Sequence, residues 1–267
     1  MSTQGFEGIT ALITGASSGI GAAFAHKLAA RRAHLILTAR SAGTLEQLAQ
    51  TLRQRYSITV QTIPADLAEP GSARVLFDTV RAGGTHVDLL INNAGFGKVT
   101  HFLAEDLSTY QRMLSLNINA MVDLTYLFIR DMHARGNGGV INVASTAAFQ
   151  PVSYMAVYAA SKSFVLSFTE ALAGEYQKHG VHCLALCPGS TATNFMTVAN
   201  AITTGMSFAR PEDVAEAGLK AYLQKRNSYV PGALNYLLSL LPRLLSRDLA
   251  ITIAARVFEK RAVAWNL

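Results

Sequence analysis

Short apolar runs alternate with longer helical patterns along most of this 267-residue chain. The runs are rich in leucine or β-branched residues, and the segments between them repeat their apolar residues every three or four positions. The runs are Ala11–Thr14, His34–Thr38, Thr59–Ile63, Leu89–Ile91, Val140–Val143 and Val181–Leu186. This alternation predicts βαβ units, in which helical crossovers join parallel strands and are almost always right-handed.

Linking such units end to end predicts an open α/β fold, a doubly wound parallel sheet with helices on both faces. Ser228–Val230 is predicted to add a short last strand, for about seven in all. Half of the residues are apolar and only 15% are charged, which suits a sheet buried on both faces. We therefore expect one domain over residues 1–267, with its ligand beyond the carboxyl ends of the strands.

The formal charge of +6 does not indicate nucleic acid as a partner. The basic residues are scattered as pairs, such as Arg31-Arg32 and Lys225-Arg226, and form no run. No stretch approaches the ~20 apolar residues of a membrane span, and Met1–Ile9 lacks a signal-peptide pattern. We therefore expect a cytoplasmic protein that does not bind nucleic acid.

The two cysteines, Cys183 and Cys187, lie four residues apart in a run with the composition of a strand. No cluster of histidines or cysteines accompanies them, so the spacing does not predict a metal site. We expect free, buried thiols in a reducing compartment.

A glycine-rich turn directly follows the first predicted strand and opens a helical pattern. Gly15 permits a tight turn, Gly19 lets a cofactor approach, and Gly21 lets the helix pack closely on the strand. Free N–H groups at such a helix start attract a diphosphate. A glycine trio alone can be purely steric, but this strand–turn–helix order predicts a dinucleotide site. The motif also contains Ser17, Ser18 and Ile20.

The second predicted strand is followed by Arg40, where a fold that binds NAD would place an acid for the adenosine ribose. A guanidinium is a permanently charged, planar donor suited to a 2′-phosphate, and Ser17 and Ser41 could assist it. The alternative is a surface arginine at the start of the next helix. The pattern favours NADP(H) over NAD(H).

Tyr158 and Lys162 lie four residues apart in a helical pattern, so their side chains share one helix face. A nearby ammonium favours the phenolate and is expected to lower the tyrosine pKa, which makes an acid–base pair. The same spacing also arises by chance on amphipathic helices. Ser145 closes the preceding strand, at the sheet edge where ligands bind, although a serine there can also be a simple turn residue.

Together these features resemble the short-chain dehydrogenases/reductases, in unbroken order from about Ile9 to Gly189. The resemblance rests on the glycine motif, the Asn92-Asn93-Ala94-Gly95 segment after a strand, Asn117, Ser145 and the Tyr158/Lys162 pair. It implies a Rossmann-type domain with a nicotinamide cofactor, and no core catalytic position departs from the family pattern.

The resemblance also implies roles for individual residues. Tyr158 is the expected general acid in reduction, and Ser145 is expected to steady the substrate carbonyl. Lys162 is expected to lower the tyrosine pKa and to bind the nicotinamide ribose. Asn117 resembles the helix asparagine that supports a water relay to this lysine.

Further positions resemble family residues that bind the cofactor and are otherwise ordinary turn formers. Asp66 is expected at the adenine. The stretch expected to flank the adenosine ribose is Asn93, Ala94 and Gly95. The residues expected to hold the nicotinamide carboxamide are Pro188, Gly189 and Thr193.

The last third of the chain is less regular. Residues 190–210 have no firm period and are expected to form a mobile flap, followed by a helix from about Arg210 to Leu223. Residues 231–267 form an apolar helical extension, with Leu237, Leu241 and Leu244 among its evenly spaced leucines. We expect this stripe to pack against the domain or a second subunit, with peripheral membrane contact as the alternative.

The expected reaction interconverts a carbonyl and an alcohol on a small, apolar substrate that the sequence does not identify. Two other functions remain, a sugar-nucleotide epimerase or dehydratase and a catalytically silent NADP-binding protein. The first needs a large domain after the core, and the second would be expected to lack a catalytic residue. Apolar side chains on the helices predicted over Leu107–Met132 and Tyr154–Lys178 exceed what one sheet face needs, so we expect a homodimer or homotetramer.

Overall fold

A computed structural model describes residues 5–262 and contains the predicted parallel sheet. Its strands are β1 (Thr10–Thr14), β2 (His34–Thr38), β3 (Val60–Thr62), β4 (Leu89–Asn92), β5 (Gly138–Val143), β6 (Val181–Leu186) and β7 (Ser228–Tyr229). All neighbouring pairs are parallel, in the order β3-β2-β1-β4-β5-β6-β7. The predicted α/β class is therefore confirmed.

Ten helices surround this sheet in the described part of the chain. They are α1 (Gly19–Ala29), α2 (Ala42–Tyr56), α3 (Ser72–Ala82), α4 (Leu107–Leu114), α5 (Ala120–Arg135), α6 (Ala156–Tyr176), α7 (Phe195–Val198), α8 (Pro211–Leu223), α9 (Ala233–Leu244) and α10 (Arg247–Glu259). The crossover helices α1, α2 and α8 pack on one face of the sheet, and α3, α5 and α6 pack on the other.

The strand period of two divides the core into two layers. Along β1, Ala11 and Ile13 join the layer beneath α1 and α8, whereas Leu12 joins the layer beneath α3 and α5. Every residue of β5 and β6 is buried, so both faces of the sheet are covered at these strands. This is the double burial that a largely apolar composition predicts for a parallel sheet.

One expectation about helix continuity needs correction. The helix predicted over Leu107–Met132 is not uniform, because a π-helical turn at Ser115–Asn119 separates α4 from α5. The predicted helical extension contains two helices, because the backbone is extended at Leu245 and Ser246. Pro242 lies in the last turn of α9, where it lacks the N–H that would continue the ladder.

The chain reverses its winding direction at the boundary between β1 and β4. From β1 the sheet grows outward to β2 and β3, and the chain then crosses back to place β4 on the other side of β1. The loops after β1 and β4 therefore diverge and leave a crevice at their carboxyl ends. The glycine motif and the Asn93–Gly95 segment lie at this crevice.

Candidate active site

The glycine motif forms the turn from β1 into α1. Gly15 and Gly19 have positive φ angles of 64° and 56°, which favour glycine. A Cβ at Gly21 would overlap the Gly15 carbonyl oxygen, so this glycine allows the turn to fold back on the helix. Gly21 thus acts through packing, while the other members of the motif line a cavity.

Thr14, at the end of β1, joins the two sides of the crevice, and the sequence reasoning missed it. Its hydroxyl oxygen accepts hydrogen bonds from the backbone N–H groups of Asn93 and Ala94, both at 2.9 Å. In return the Asn93 side-chain amide donates to the carbonyl oxygens of Thr14 at 3.0 Å and Gly15 at 3.2 Å. Asn93 therefore holds the glycine turn in place as well as lining the cavity.

The start of α1 is suited to an anion. Its first turn contains no acidic residue, and the Ser18 side chain makes no capping hydrogen bond. The backbone N–H groups and the positive end of the helix dipole are therefore not neutralised by this segment. A Cβ at Gly15 or Gly19 would occupy part of the space beside this helix start. With glycine there, the cradle fits the diphosphate of a dinucleotide.

Arg40 and Asp66 lie along the same cavity, after β2 and β3 respectively. Arg40 is exposed, and no hydrogen bond or ion pair engages its side chain within residues 5–262. Asp66 accepts hydrogen bonds from the Arg112 guanidinium at 2.8 Å and the Ala68 N–H at 3.0 Å. Although burial opposes it, these contacts lower the pKa of Asp66, so the carboxylate is available as an acceptor.

Ser145 and Tyr158 meet at the carboxyl end of β5. Ser145 lies two residues after the end of β5, and its Oγ accepts a hydrogen bond from the Ala147 N–H at 3.1 Å. Tyr158, in the first turn of α6, is buried and lies beside the Ser145 side chain. Burial raises the pKa of Tyr158 to about 12, and the neighbouring Ser145 hydroxyl partly offsets this increase. At neutral pH the group is therefore a phenol with a proton to donate.

Lys162 does not have the expected effect on that pKa. Its Nζ lies 5.8 Å from the centroid of the Tyr158 ring and donates a 2.7 Å hydrogen bond to the Val143 carbonyl oxygen. Burial lowers the pKa of Lys162 to about 8. The expectation of a lowered tyrosine pKa is thus not met, because burial dominates the pKa of the phenol and Lys162 is not among the groups that shift it.

Asn117 lies in the π-helical turn and is buried beneath the cavity. Its side chain accepts from the Phe96 N–H at 3.1 Å and donates to the Phe96 carbonyl at 3.0 Å. It also donates to the Ser161 hydroxyl at 3.1 Å, which donates to the Tyr158 carbonyl at 2.7 Å. Asn117 and Ser161 therefore connect the loop after β4 to the helix that carries Tyr158 and Lys162.

A second buried network supports the site from within the sheet. Asn92 of β4 faces Asn142 of β5 in register and donates to its side-chain oxygen at 2.9 Å. The network extends to two helices. Asn92 also donates to the hydroxyl oxygen of Thr125 on α5 at 3.0 Å, and Asn142 donates to that of Thr169 on α6 at 2.9 Å. The signal in the sequence was an asparagine within each of two otherwise apolar strands.

One continuous cavity of about 1120 Å³ connects these groups. Of the sequence-predicted residues, all except Gly21 and Asn117 line it: Gly15, Ser17, Ser18, Gly19, Ile20, Arg40, Asp66, Asn93, Ala94, Gly95, Ser145, Tyr158, Lys162, Pro188, Gly189 and Thr193. Within residues 5–262 no group of three or more histidine, cysteine or acidic side chains is arranged to hold a metal ion. Cys183 and Cys187 are free and buried, as predicted.

The flap and the tail close one end of this cavity. Backbone hydrogen bonds from Ala192 to Ala209 and from Ala209 to Ser190, both 2.9 Å, hold the two ends of the flap together. Thr193 lies against Gly19, and its Oγ1 accepts from the Phe195 N–H at 3.2 Å. The lining here is largely apolar: Phe149, Val152, Met155, Phe195, Met196, Val198, Ala201, Met206, Leu238, Pro242 and Phe258.

Comparison with known proteins agrees with this geometry. The chain is 29% identical over 269 residues to the very-long-chain 3-oxoacyl-CoA reductase of Anas platyrhynchos, covering 95% of this chain and 84% of that protein. It is 30% identical over 225 residues to the ketoacyl reductase HetN of a Nostoc species, covering 84% of this chain and 78% of that protein.

A solved short-chain dehydrogenase from Sphingobium yanoikuyae, in complex with NADPH, has the same fold. Its TM-score is 0.81 with 29% identity, over 88% of this chain and 94% of that one. No helix within residues 5–262 has the length and apolar character needed to cross a membrane. A sequence model of the short chain dehydrogenases matches residues 9–202, from the first strand into the flap. With the fold, the glycine cradle and the cavity in agreement, the chain belongs to the short-chain dehydrogenase family.

Proposed function

We propose that this protein is an NADP(H)-dependent oxidoreductase that interconverts a carbonyl and an alcohol, with Tyr158 as the general acid in reduction. The observation that carries the proposal is that Ser145, Tyr158 and Lys162 line the same cavity as the glycine cradle. A substrate bound beside Ser145 and Tyr158, and a dinucleotide bound in the cradle, would share one enclosed space, which hydride transfer requires.

The residues of the cavity fit a dinucleotide along its whole length. The start of α1 would hold the diphosphate, Asp66 and the Asn93–Gly95 segment would contact the adenosine half, and Pro188, Gly189 and Thr193 would hold the nicotinamide end; apart from Gly21, these residues line the cavity. Arg40 supports NADP(H), because its exposed guanidinium can pair with a 2′-phosphate. When bound, the cofactor supplies or accepts the hydride.

The chain's own residues manage the proton. In reduction, Tyr158 donates its phenolic proton to the carbonyl oxygen, and the Ser145 hydroxyl donates a hydrogen bond to the same oxygen as negative charge develops. Lys162 lines the same cavity and would donate a hydrogen bond to the nicotinamide ribose. Asn117 acts as a positioning residue, through its hydrogen bonds to Phe96 and Ser161.

An apolar ketone is the substrate class that the cavity favours. Tyr158 packs in one cluster with apolar side chains that also line the cavity, among them Val152, Met155 and Phe195. The names of two relatives, a 3-oxoacyl-CoA reductase and a ketoacyl reductase, agree with a ketone on an apolar chain.

The decisive test is to incubate the purified protein with NADPH and a panel of carbonyl compounds. Loss of the NADPH absorbance measures the oxidation of the cofactor. The panel should include 3-oxoacyl esters and thioesters, bulky ketones and small aldehydes, with NADH in parallel. We expect turnover of apolar ketones with NADPH. NADPH binding with no turnover of any carbonyl compound would contradict the proposed reaction and favour a binding protein.

A further inference from the structure

The outer surface of α9 is an exposed leucine stripe. Leu234, Leu237, Leu241 and Leu244 lie within about 80° of one another around the helix axis, at 100° per residue. All four are exposed, from 45% at Leu241 to 81% at Leu244. Ser239, on the opposite side of the helix, is buried and lines the substrate cavity. The stripe is thus the outer surface of the element that covers the cavity.

Helix α10 carries a second stripe of the same kind. Leu249, Ile253 and Val257 follow one another at intervals of four residues and are all exposed. The small residues Ala250 and Ala254, on the neighbouring face, are buried against the domain. Most of the large apolar side chains of the two helices are therefore exposed, although Leu238, Pro242 and Phe258 line the cavity.

The charges around the two stripes are mostly positive. From Ala233 to Glu259, the span of the two helices, the sequence contains three arginines, Arg243, Arg247 and Arg256, and two acids, Asp248 and Glu259, of which Glu259 lies at the far end of α10. Arg243 and Arg247 flank the corner between the helices, next to Leu244, and none of the three arginines forms an ion pair within the described range 5–262. Asp248 lies about 140° around α10 from Ile253, away from the stripe.

The charges distinguish between two possible partners for the exposed stripes, a second copy of this chain and an anionic lipid surface. In a symmetric contact between two copies of this chain, each copy would bring two arginines and one acid, Asp248, to the same corner, which leaves an excess of positive charge in the contact. An anionic lipid surface matches both features, since leucines enter the acyl boundary and arginines pair with headgroup phosphates.

We propose that the α9–α10 corner is a peripheral docking site for an anionic membrane surface. The leucine stripe inserts into the interface, Arg243 and Arg247 contact phosphate groups, and the cavity beneath α9 faces the lipid. An apolar substrate dissolved in the bilayer could then reach the cavity without crossing water.

The test is sedimentation of the purified full-length protein with phosphatidylcholine vesicles, with and without phosphatidylserine. We expect binding to the anionic vesicles, at least about tenfold weaker binding to phosphatidylcholine alone, and release at high salt. The double variant Leu237→Ser/Leu244→Ser should lose binding by at least about tenfold, and Arg243→Gln/Arg247→Gln should lose the preference for phosphatidylserine.

The matched control is Val75→Ser/Leu103→Ser, which removes two equally exposed apolar side chains elsewhere. It should bind vesicles as the unmodified protein does, and circular dichroism should show native folding in every variant. Failure of the unmodified protein to bind anionic vesicles would refute the proposal. So would leucine variants that bind vesicles normally, or that change the oligomeric state instead. Because the readout is binding, the result is independent of whether the protein reduces a carbonyl.

Discussion

At the scale of single residues, the site depends on how burial and hydrogen bonding set protonation. Tyr158 is a phenol because burial raises its pKa to about 12, and Ser145 moderates that effect. Lys162 is held by the Val143 carbonyl and has its pKa lowered to about 8. The proposed donor is therefore protonated at neutral pH, while the proposed ribose ligand titrates just above it.

Replacing Tyr158 by Phe should remove most of the turnover and leave the affinity for NADPH nearly unchanged. The substitution deletes the acidic hydroxyl and little volume, and loss of a general acid reduces the rate by roughly 10²- to 10⁴-fold. Steady-state kinetics with a ketone and a cofactor titration measure the two effects. Tyr154→Phe, in the same apolar cluster, is the control and should keep its turnover. A Tyr158→Phe enzyme with normal kcat would remove Tyr158 from the mechanism.

Replacing Lys162 by Met should weaken cofactor binding and, through it, the chemistry, because the ammonium is assigned to the ribose that positions the nicotinamide. With a folded pKa of about 8, Lys162 is charged below that pH and neutral above it. NADPH affinity of the unmodified protein should therefore decline as the pH rises through about 8, and Lys162→Met should lack this step. An unchanged Kd in the variant would show that the lysine does not bind the cofactor.

Replacing Arg40 by Ala should raise the KM for NADPH by roughly 10- to 100-fold and affect NADH much less, because a charge-assisted hydrogen bond to the 2′-phosphate is lost. The unmodified enzyme should prefer NADPH by at least about tenfold. Arg74→Ala is the control, since Arg74 pairs with Asp78 on α3 and does not line the cavity. Equal impairment with both coenzymes would reduce Arg40 to a helix-start residue.

At the scale of secondary-structure elements, the sheet and its crossovers carry groups that no local pattern identifies. The π-helical turn places Asn117 against Phe96, and the paired asparagines join β4 to β5. His182 of β6 packs against Tyr222 of α8 with ring centroids 5.1 Å apart. Burial, with a smaller contribution from Lys225, lowers the pKa of His182 to about 4.

The His182 contact should make stability depend on pH. As the pH falls below 6.5, the unfolded chain takes up a proton on this histidine before the folded chain does, so the stabilisation is lost progressively toward about pH 4. We expect the drop in Tm between neutral pH and about pH 5 to be smaller in His182→Phe than in the unmodified protein. Melting followed by circular dichroism measures it, with His34→Phe as the control. Identical drops in all three proteins would show that His182 does not contribute.

At the scale of the whole molecule, apolar side chains remain exposed on helices that already cover the sheet. Tyr126 on α5 and Phe164 on α6 are among them. These helices have already buried the apolar face that the sheet requires, so a second subunit is the expected cover for the remainder.

Light scattering should therefore give a mass that is a multiple of the 28.6 kDa chain at micromolar concentration. Tyr126→Arg/Phe164→Arg should shift the protein toward monomer, because two buried charges would be left unpaired in the interface. Val75→Arg, on α3, should leave the mass unchanged. A monomeric unmodified protein would overturn the expectation.

The sequence by itself determined the features that consecutive residues encode. The strand and helix periods predicted the doubly wound sheet, and the order of strand, glycines and helix predicted the cradle at α1. The four-residue interval between Tyr158 and Lys162 placed both on one face of α6. Such features depend on neighbours along the chain, so reading the chain is enough to find them.

Tertiary structure alone decided which distant groups meet and how much water each keeps. Thr14 reaches Asn93 across the sheet, and desolvation moves the Tyr158 pKa in the direction opposite to the one expected from Lys162. The sequence of the tail likewise does not determine which of its side chains are buried, because evenly spaced leucines fit a buried or an exposed face equally well. Only the packing of Ser239 toward the domain turned the α9 leucines outward, since burial is a property of the whole assembled chain.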